Sequence, residues 1–128
     1  FSQEVEYKPD YEIQSRGLEK ILNNDNIGNI FVAKKNGSIV GMVILLYTVS
    51  TALGEQVVIL EDMVVSPEER GSGIGSMLLD HAVKHATEKG CKRITLLTDD
   101  KNVRAQKFYK QHKFHRSSMI PYRMIING

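Results

Sequence analysis

The sequence predicts a mixed α/β (α+β) fold, a mainly antiparallel sheet that also holds a parallel strand pair and is flanked by helices, in a single domain spanning residues 1–128. Two β-forming runs are separated only by Asn36-Gly37, a dipeptide that supplies the positive φ angles of a tight hairpin. A third β run is followed by an apolar stripe of helical period and then by another short β run, an order that implies a parallel pair joined by a crossover helix.

In chain order, Asp10 can cap a helix running to about residue 23, with Leu18, Ile21 and Leu22 at helical spacing and Asn23-Asn24-Asp25-Asn26 ending it. Ile30 to Lys35 and Ile39 to Val49 form the hairpin strands, and a loop around Ala52-Leu53-Gly54 leads to a third strand, Gln56 to Val65. Glu61-Asp62 interrupts that strand's apolar run, and two acids within a buried strand need a reason. After Pro67 the period changes: Ile74, Leu78, Leu79, Ala82, Val83 and Ala86 predict a helix over 72 to 89 that terminates at Gly90. Ile94 to Thr98 reads as a short strand. Ala105, Phe108, Tyr109 and His112 mark a second helix opened by Asn102, and Phe114 to Ile120 with Tyr122 to Ile126 read as antiparallel strands around Pro121.

A chain of 128 residues can bury one core and has no room for two. No apolar run approaches the roughly 18 residues that span a bilayer, so no membrane partner is expected. The net charge of +2 separates 17 basic from 15 acidic side chains spread along the chain, which is not the basic stripe of a nucleic-acid binder. Cys91 is the single cysteine, so no intrachain disulfide forms; a reducing, cytoplasmic compartment and a structural thiol are the natural readings. Phe1 is not an initiator Met, consistent with processing or with chain preceding it.

Arg70-Gly71-Ser72-Gly73-Ile74-Gly75 lies where a strand enters a helix. Its glycines let backbone approach a ligand closely, and the N–H groups of the following helix turn make it an anion site. Arg70 adds a permanent charge whose fork grips phosphate oxygens. A Walker A loop would need a lysine after the last glycine, where Ser76 stands, and a dinucleotide fingerprint would place its third glycine one residue later. A glycine-rich turn used for shape alone is the remaining alternative.

Arg-x-x-Gly-x-Gly after a strand ending Glu61-Asp62-Met63-Val64-Val65 resembles the acetyl-CoA-binding motif of the GNAT superfamily of N-acetyltransferases, and Asn102-Val103-Arg104-Ala105-Gln106-Lys107-Phe108-Tyr109 is similar to its second signature. The resemblance covers roughly residues 30 to 126 and implies a GNAT-type twisted sheet with the parallel pair at its centre. It implies acetyl-CoA as co-substrate, with Met63, Val64 and Val65 pairing the pantetheine arm and Arg70, Gly71, Ser72, Gly73, Ile74, Gly75 and Ser76 holding the pyrophosphate. Asn102, Ala105, Phe108 and Lys110 would line the arm's far side, with Tyr109 near the thioester sulfur. The chain departs from the family in having Lys113-Phe114 where Gly-Phe is frequent, and the family's first strand is not evident in Phe1 to Pro9.

Acyl transfer to an amine needs a neutral amine, a site for developing oxyanion charge and a proton for the departing thiolate. Glu61 is placed to accept the amine's proton directly or through water, or is an acid satisfied by a local partner; Asp62 is expected on the opposite face. Backbone N–H groups at Val64 or Val65 could meet the oxyanion if a bulge splays the strand from its parallel neighbour. Helical spacing alone makes Tyr109 a packed aromatic; the resemblance makes it the general acid, which a phenol's ordinary pKa of about 10 suits. His81 and His85 share a helical face, but Ala82 stands where a metalloprotease helix has glutamate, so a solvated face and no metal are expected. His112 and His115 read as surface or helix-dipole residues. The expected acceptor is a small polar or cationic molecule with a primary amine, because Tyr47 to Glu55 should lie near the acceptor end with hydroxyls and Glu55; a protein amine, and a non-catalytic acyl-CoA-binding module, are the alternatives. Edge strands near the C-terminus could pair across a homodimer.

Overall fold

The computed structural model describes residues 22–24 and 26–127. It divides into two compact units, one ending at Leu97 and the other beginning at Thr98. Most of the helix expected from Asp10 lies outside the described residues.

The first unit is a four-stranded sheet in the order β1-β2-β3-β4, with β1 Gly28–Lys35, β2 Ser38–Ser50, β3 Glu55–Val65 and β4 Ile94–Leu96. Strands β1, β2 and β3 pair antiparallel in sequence, and β4 lies parallel to β3. The mixed sheet is therefore the one expected. Asn36 and Gly37 have φ of 52° and 82°, the left-handed pair that lets a two-residue turn follow the twist of its strands.

Helix α1, Ile74–Glu88, buries Leu78, Leu79, Ala82 and Ala86 from the predicted stripe. It lies against β2 at Gly41, where an added Cβ would sit 2.8 Å from Leu78 and 3.1 Å from Ile74. The register puts Ala33, Val43, Leu45, Leu60, Met63 and Val65 on that same face, and Val43 and Leu45 are fully buried there. The helix ends as predicted at Gly90 (φ 88°), with Cys91 N–H donating to Ala86 C=O and Gly90 N–H to Thr87 C=O.

One pairing sets the site's geometry. Ile44 pairs with Asp62 and the next residue, Leu45, with Leu60, so Glu61 is the extra residue of a β-bulge. Leu60 thus faces α1, while Asp62 faces the other side with Val64, although Leu60 and Asp62 are two positions apart and would share a face in a regular strand. The bulge is the reason two acids fit in this strand, and both are exposed.

The helix and sheet are also tied by a polar cluster that the sequence did not announce. Tyr47 OH donates to Asn29 Oδ1, which also accepts from His85 Nε2 at 3.1 Å, fixing the N–H of that ring on Nε2. Lys89 Nζ lies 4.0 Å from the centre of the Tyr47 ring. Phe31 meets His81 and His85 edge-on at 4.7 Å and 5.0 Å; His81 is exposed, as expected of a solvated face, while His85 is half-buried against β1. Burial, with the nearby Cys91 thiol as a smaller contribution, pushes the Tyr47 hydroxyl up to about 12. The fold thus favours the neutral phenol: its contribution is complete below the unfolded pKa of about 10 and is lost as pH rises toward 12. Tyr47→Phe is expected to lower stability by about 1 kcal/mol at neutral pH. The gap between urea midpoints of the two proteins should close between pH 9 and about 11.5; a constant gap would contradict the assignment.

In the second unit, α2 is Val103–Gln111. Asn102 caps it by accepting Ala105 N–H at 3.0 Å, and Gln106 donates to the carbonyls of Asp99 and Asp100 at 3.1 Å and 2.9 Å. Lys113 has φ of 72°, a left-handed conformation that costs a side chain about 1 kcal/mol. The strands expected at Phe114 to Ile120 and Tyr122 to Ile126 are not formed: residues 114–127 have no strand pairing. Their apolar residues signal β propensity, but propensity reports fit to a covered, paired surface. Within this unit no described strand offers an edge, Pro121 lacks an N–H, and Met119, Tyr122 and Met124 are more than four-fifths exposed, at 83%, 93% and 82%.

Candidate active site

The end of β3 and the start of α1 converge in the first unit. Ser66 N–H donates to Val40 C=O at 2.8 Å, continuing the β2 ladder. Antiparallel alternation then directs the N–H and C=O of Val64 at β2 and those of Met63 and Val65 at the opposite edge. Strand β4 pairs with β3 only from Val58 to Leu60. Along Glu61 to Val65, no described strand lies on that edge. Met63 and Val65 therefore present backbone donors and acceptors to whatever lies alongside, and Val64, expected to act with them, does not.

The glycine-rich turn follows at once. Pro67–Glu69 makes a single 3-10 turn, Arg70 is extended, and Gly71 and Gly73 take φ of 86° and 91°. A Cβ at either glycine would meet nothing within 4 Å, so open space lies over the turn. The first bond into α1 runs from Met77 N–H to Gly73 C=O at 3.0 Å. The N–H groups of Ile74, Gly75 and Ser76 come before it and line the helix N-terminus, where an anion is favoured. Arg70 is exposed next to them.

The acids flank this edge. Glu61 sits at the bulge. Asp62 is exposed as a residue, yet the atoms around its carboxyl desolvate it enough to raise its pKa above the ordinary carboxylate value, and the charge of Glu61 adds to the rise. Cys91 is half-buried, and burial pushes its thiol up against a smaller opposing effect of Lys89, the reverse of an activated nucleophile.

The second unit holds the other predicted residues on one short helix. Tyr109 and Phe108 are half-buried, their rings 5.4 Å apart, and Tyr109 meets Phe114 edge-on at 5.7 Å. His112, the C-cap of α2, packs on Phe108 at 4.6 Å and is half-buried, in the helix-end position expected of it; His115 is exposed. Ala105 is half-buried and Lys110 exposed. The side-chain oxygen of Asn102 is engaged in capping.

An open strand edge running into a glycine-rich helix N-terminus has the donors and acceptors to receive a ligand with an amide-bearing arm and a pyrophosphate. The profile of the acetyltransferase (GNAT) family matches residues 2–114. This chain belongs to the acetyltransferase (GNAT) family. The GNAT chain is 30% identical over 99 residues to the uncharacterized N-acetyltransferase YhfO of Bacillus subtilis (strain 168), covering 77% of this chain and 65% of the relative. It is 39% identical over 72 residues to the thialysine N-epsilon-acetyltransferase of Bos taurus, covering 56% of this chain and 42% of the relative. It thus spans less than two thirds of the length of these relatives. A solved structure of a transcriptional regulator from Bacillus halodurans C-125 superposes with a TM-score of 0.81 at 31% identity, over 97% of this chain and 82% of that one. Among the described residues of this GNAT chain, no three His, Cys, Asp or Glu side chains gather as a metal site, and no helix is long and apolar enough to cross a membrane.

Sequence reasoning left one feature of the site unplaced and missed another. The bulge is legible only as an interruption by Glu61-Asp62, and its register needs the partner strand. An ion pair between Lys35 and Glu69 holds the turn from 34 residues away, with no local signal.

Proposed function

We propose that this chain transfers an acetyl group from acetyl-CoA to a primary amine on a small polar or cationic molecule, by direct attack of the amine on the thioester. The observation that carries the reading is the β3 edge at Met63 and Val65, along which no described strand lies, leading into the Arg70–Ser76 turn. When bound, acetyl-CoA supplies the activated acyl group. The N–H groups at the start of α1, with Arg70, hold the pyrophosphate. Met63 and Val65 pair with the amides of the arm as a neighbouring strand would, and the Val65 N–H is the donor for charge developing on the carbonyl oxygen. Glu61 accepts the amine's proton, directly or through water, and Tyr109 returns a proton to the sulfur. Asn102, Ala105, Phe108 and Lys110 are the residues that the family resemblance assigns to the arm.

The acceptor class rests on Glu61, Asp62 and Glu55, whose carboxylates favour a cationic molecule, and on the Bos taurus relative, whose name specifies the N-epsilon amine of thialysine. The single cysteine fits a reducing, cytoplasmic compartment, and a homodimer is the assembly to test. The deciding measurement is release of free CoA from acetyl-CoA across a panel of polyamines, amino sugars, amino acids and peptides. Turnover with small cationic amines is expected; turnover with peptides alone would move the acceptor to a protein amine. A second reading, a non-catalytic acyl-CoA-binding module, draws on the Bacillus halodurans neighbour named as a regulator. It requires CoA binding with no amine-dependent release anywhere in the panel.

A further inference from the structure

The Gly71-Ser72-Gly73 turn has little stiffness of its own, because glycine restricts its backbone least. Its rigidity must come from ties to the rest of the unit. On the upstream side, Ser66 is buried and bonded to Val40 of β2. Within the turn, the Glu69 carbonyl accepts both the N–H and the hydroxyl of Ser72, the former at 3.1 Å. The side chain of the same Glu69 is 15% exposed, that of Lys35 54%, and both Glu69 carboxylate oxygens accept from Lys35 Nζ, at 3.0 Å and 3.3 Å. Lys35 is the last residue of β1, beside the tight Asn36-Gly37 hairpin, so it is carried on a rigid end.

We propose that the Lys35–Glu69 ion pair seats the pyrophosphate turn, making both residues positioning residues for the donor. The inference rests on the acetyl-CoA reading above. The pair acts in two ways. It fixes the Glu69 main chain, whose carbonyl in turn orients Ser72 between the two left-handed glycines. It also neutralises a carboxylate that stands one residue from Arg70 and would otherwise repel the anion the turn receives.

The two actions rank the variants. Lys35→Met removes the tie and leaves Glu69 charged beside the anion, whereas Glu69→Gln removes the tie and the repulsive charge together. Calorimetric Kd for CoA is expected to weaken about tenfold in K35M and about threefold in E69Q. The double variant K35E/E69K, which restores the pair with its charges exchanged, should recover to about twofold of wild type. Pantetheine, which lacks the pyrophosphate, should bind all four proteins alike in an NMR titration. Equal losses for CoA and pantetheine would make the pair a general structural contact and overturn the proposal. Unchanged CoA affinity in both single variants would overturn it as well. A wild-type chain that bound pantetheine and CoA equally, or neither, would instead remove the pyrophosphate site on which the proposal stands.

Discussion

Tyr109→Phe is expected to lower kcat for acetyl transfer by about 10²-fold, with KM for acetyl-CoA held within about twofold. The substitution removes one oxygen and keeps the ring. Edge-on contacts to Phe108 and Phe114 position that ring, and neither involves the hydroxyl. Urea unfolding midpoints of both proteins, read beside the rates, separate loss of the proton donor from loss of packing. Steady-state release of CoA with the best amine of the panel, for both proteins across pH 6 to 10, measures the effect. Turnover equal to wild type would leave Tyr109 as a packed aromatic and nothing more.

Gly73→Val should weaken CoA binding by about 10²-fold. Gly73 caps α1 at φ 91° and ψ 1°, where an L side chain is strained by about 1–2 kcal/mol and a β-branched one has fewest alternatives. Space within the protein is not the obstacle, since a Cβ there has no neighbour within 4 Å. The added branch instead stands in open space at the N-terminus of α1. A turn that relaxes to relieve the strain withdraws those groups from the ligand, so affinity falls by more than stability does. Calorimetry with CoA, beside ligand-free urea unfolding, reads the two separately. Retained affinity would exclude this turn from the donor site.

Much of the first unit was legible because its signals are local. Asn36-Gly37 can adopt the left-handed angles of its turn whatever surrounds it, and the stripe from Leu78 to Ala86 must be covered by something. The glycine turn was legible for the same reason: helix N-terminus and positive-φ residues are adjacent in the chain. What escaped depends on partners distant in sequence. Asn29, Tyr47 and His85 come from a strand, its neighbour and a helix, and each alone is an unremarkable polar residue. Lys35 and Glu69 meet for the same kind of reason. The C-terminal error has a different origin. Met119 to Ile126 has the composition of strands, but composition does not supply an edge to pair with, and in the second unit these side chains stay exposed. Which of Met63, Val64 and Val65 faces the open edge could be decided only once Ser66 was seen bonded to Val40.

Glu61 gives β3 an odd residue, and with it two reading frames in one strand. Up to Leu60 the even positions look toward α1; from Met63 onward the odd ones do. The frame is a matter of parity and not of side chain, so any residue at 61 preserves it, and the acid there is free to serve chemistry without also maintaining geometry. Chain length near the bulge carries the opposite constraint: removing a single residue would exchange the roles of Val64 and Val65, whereas removing a pair would shorten the edge and keep its sense.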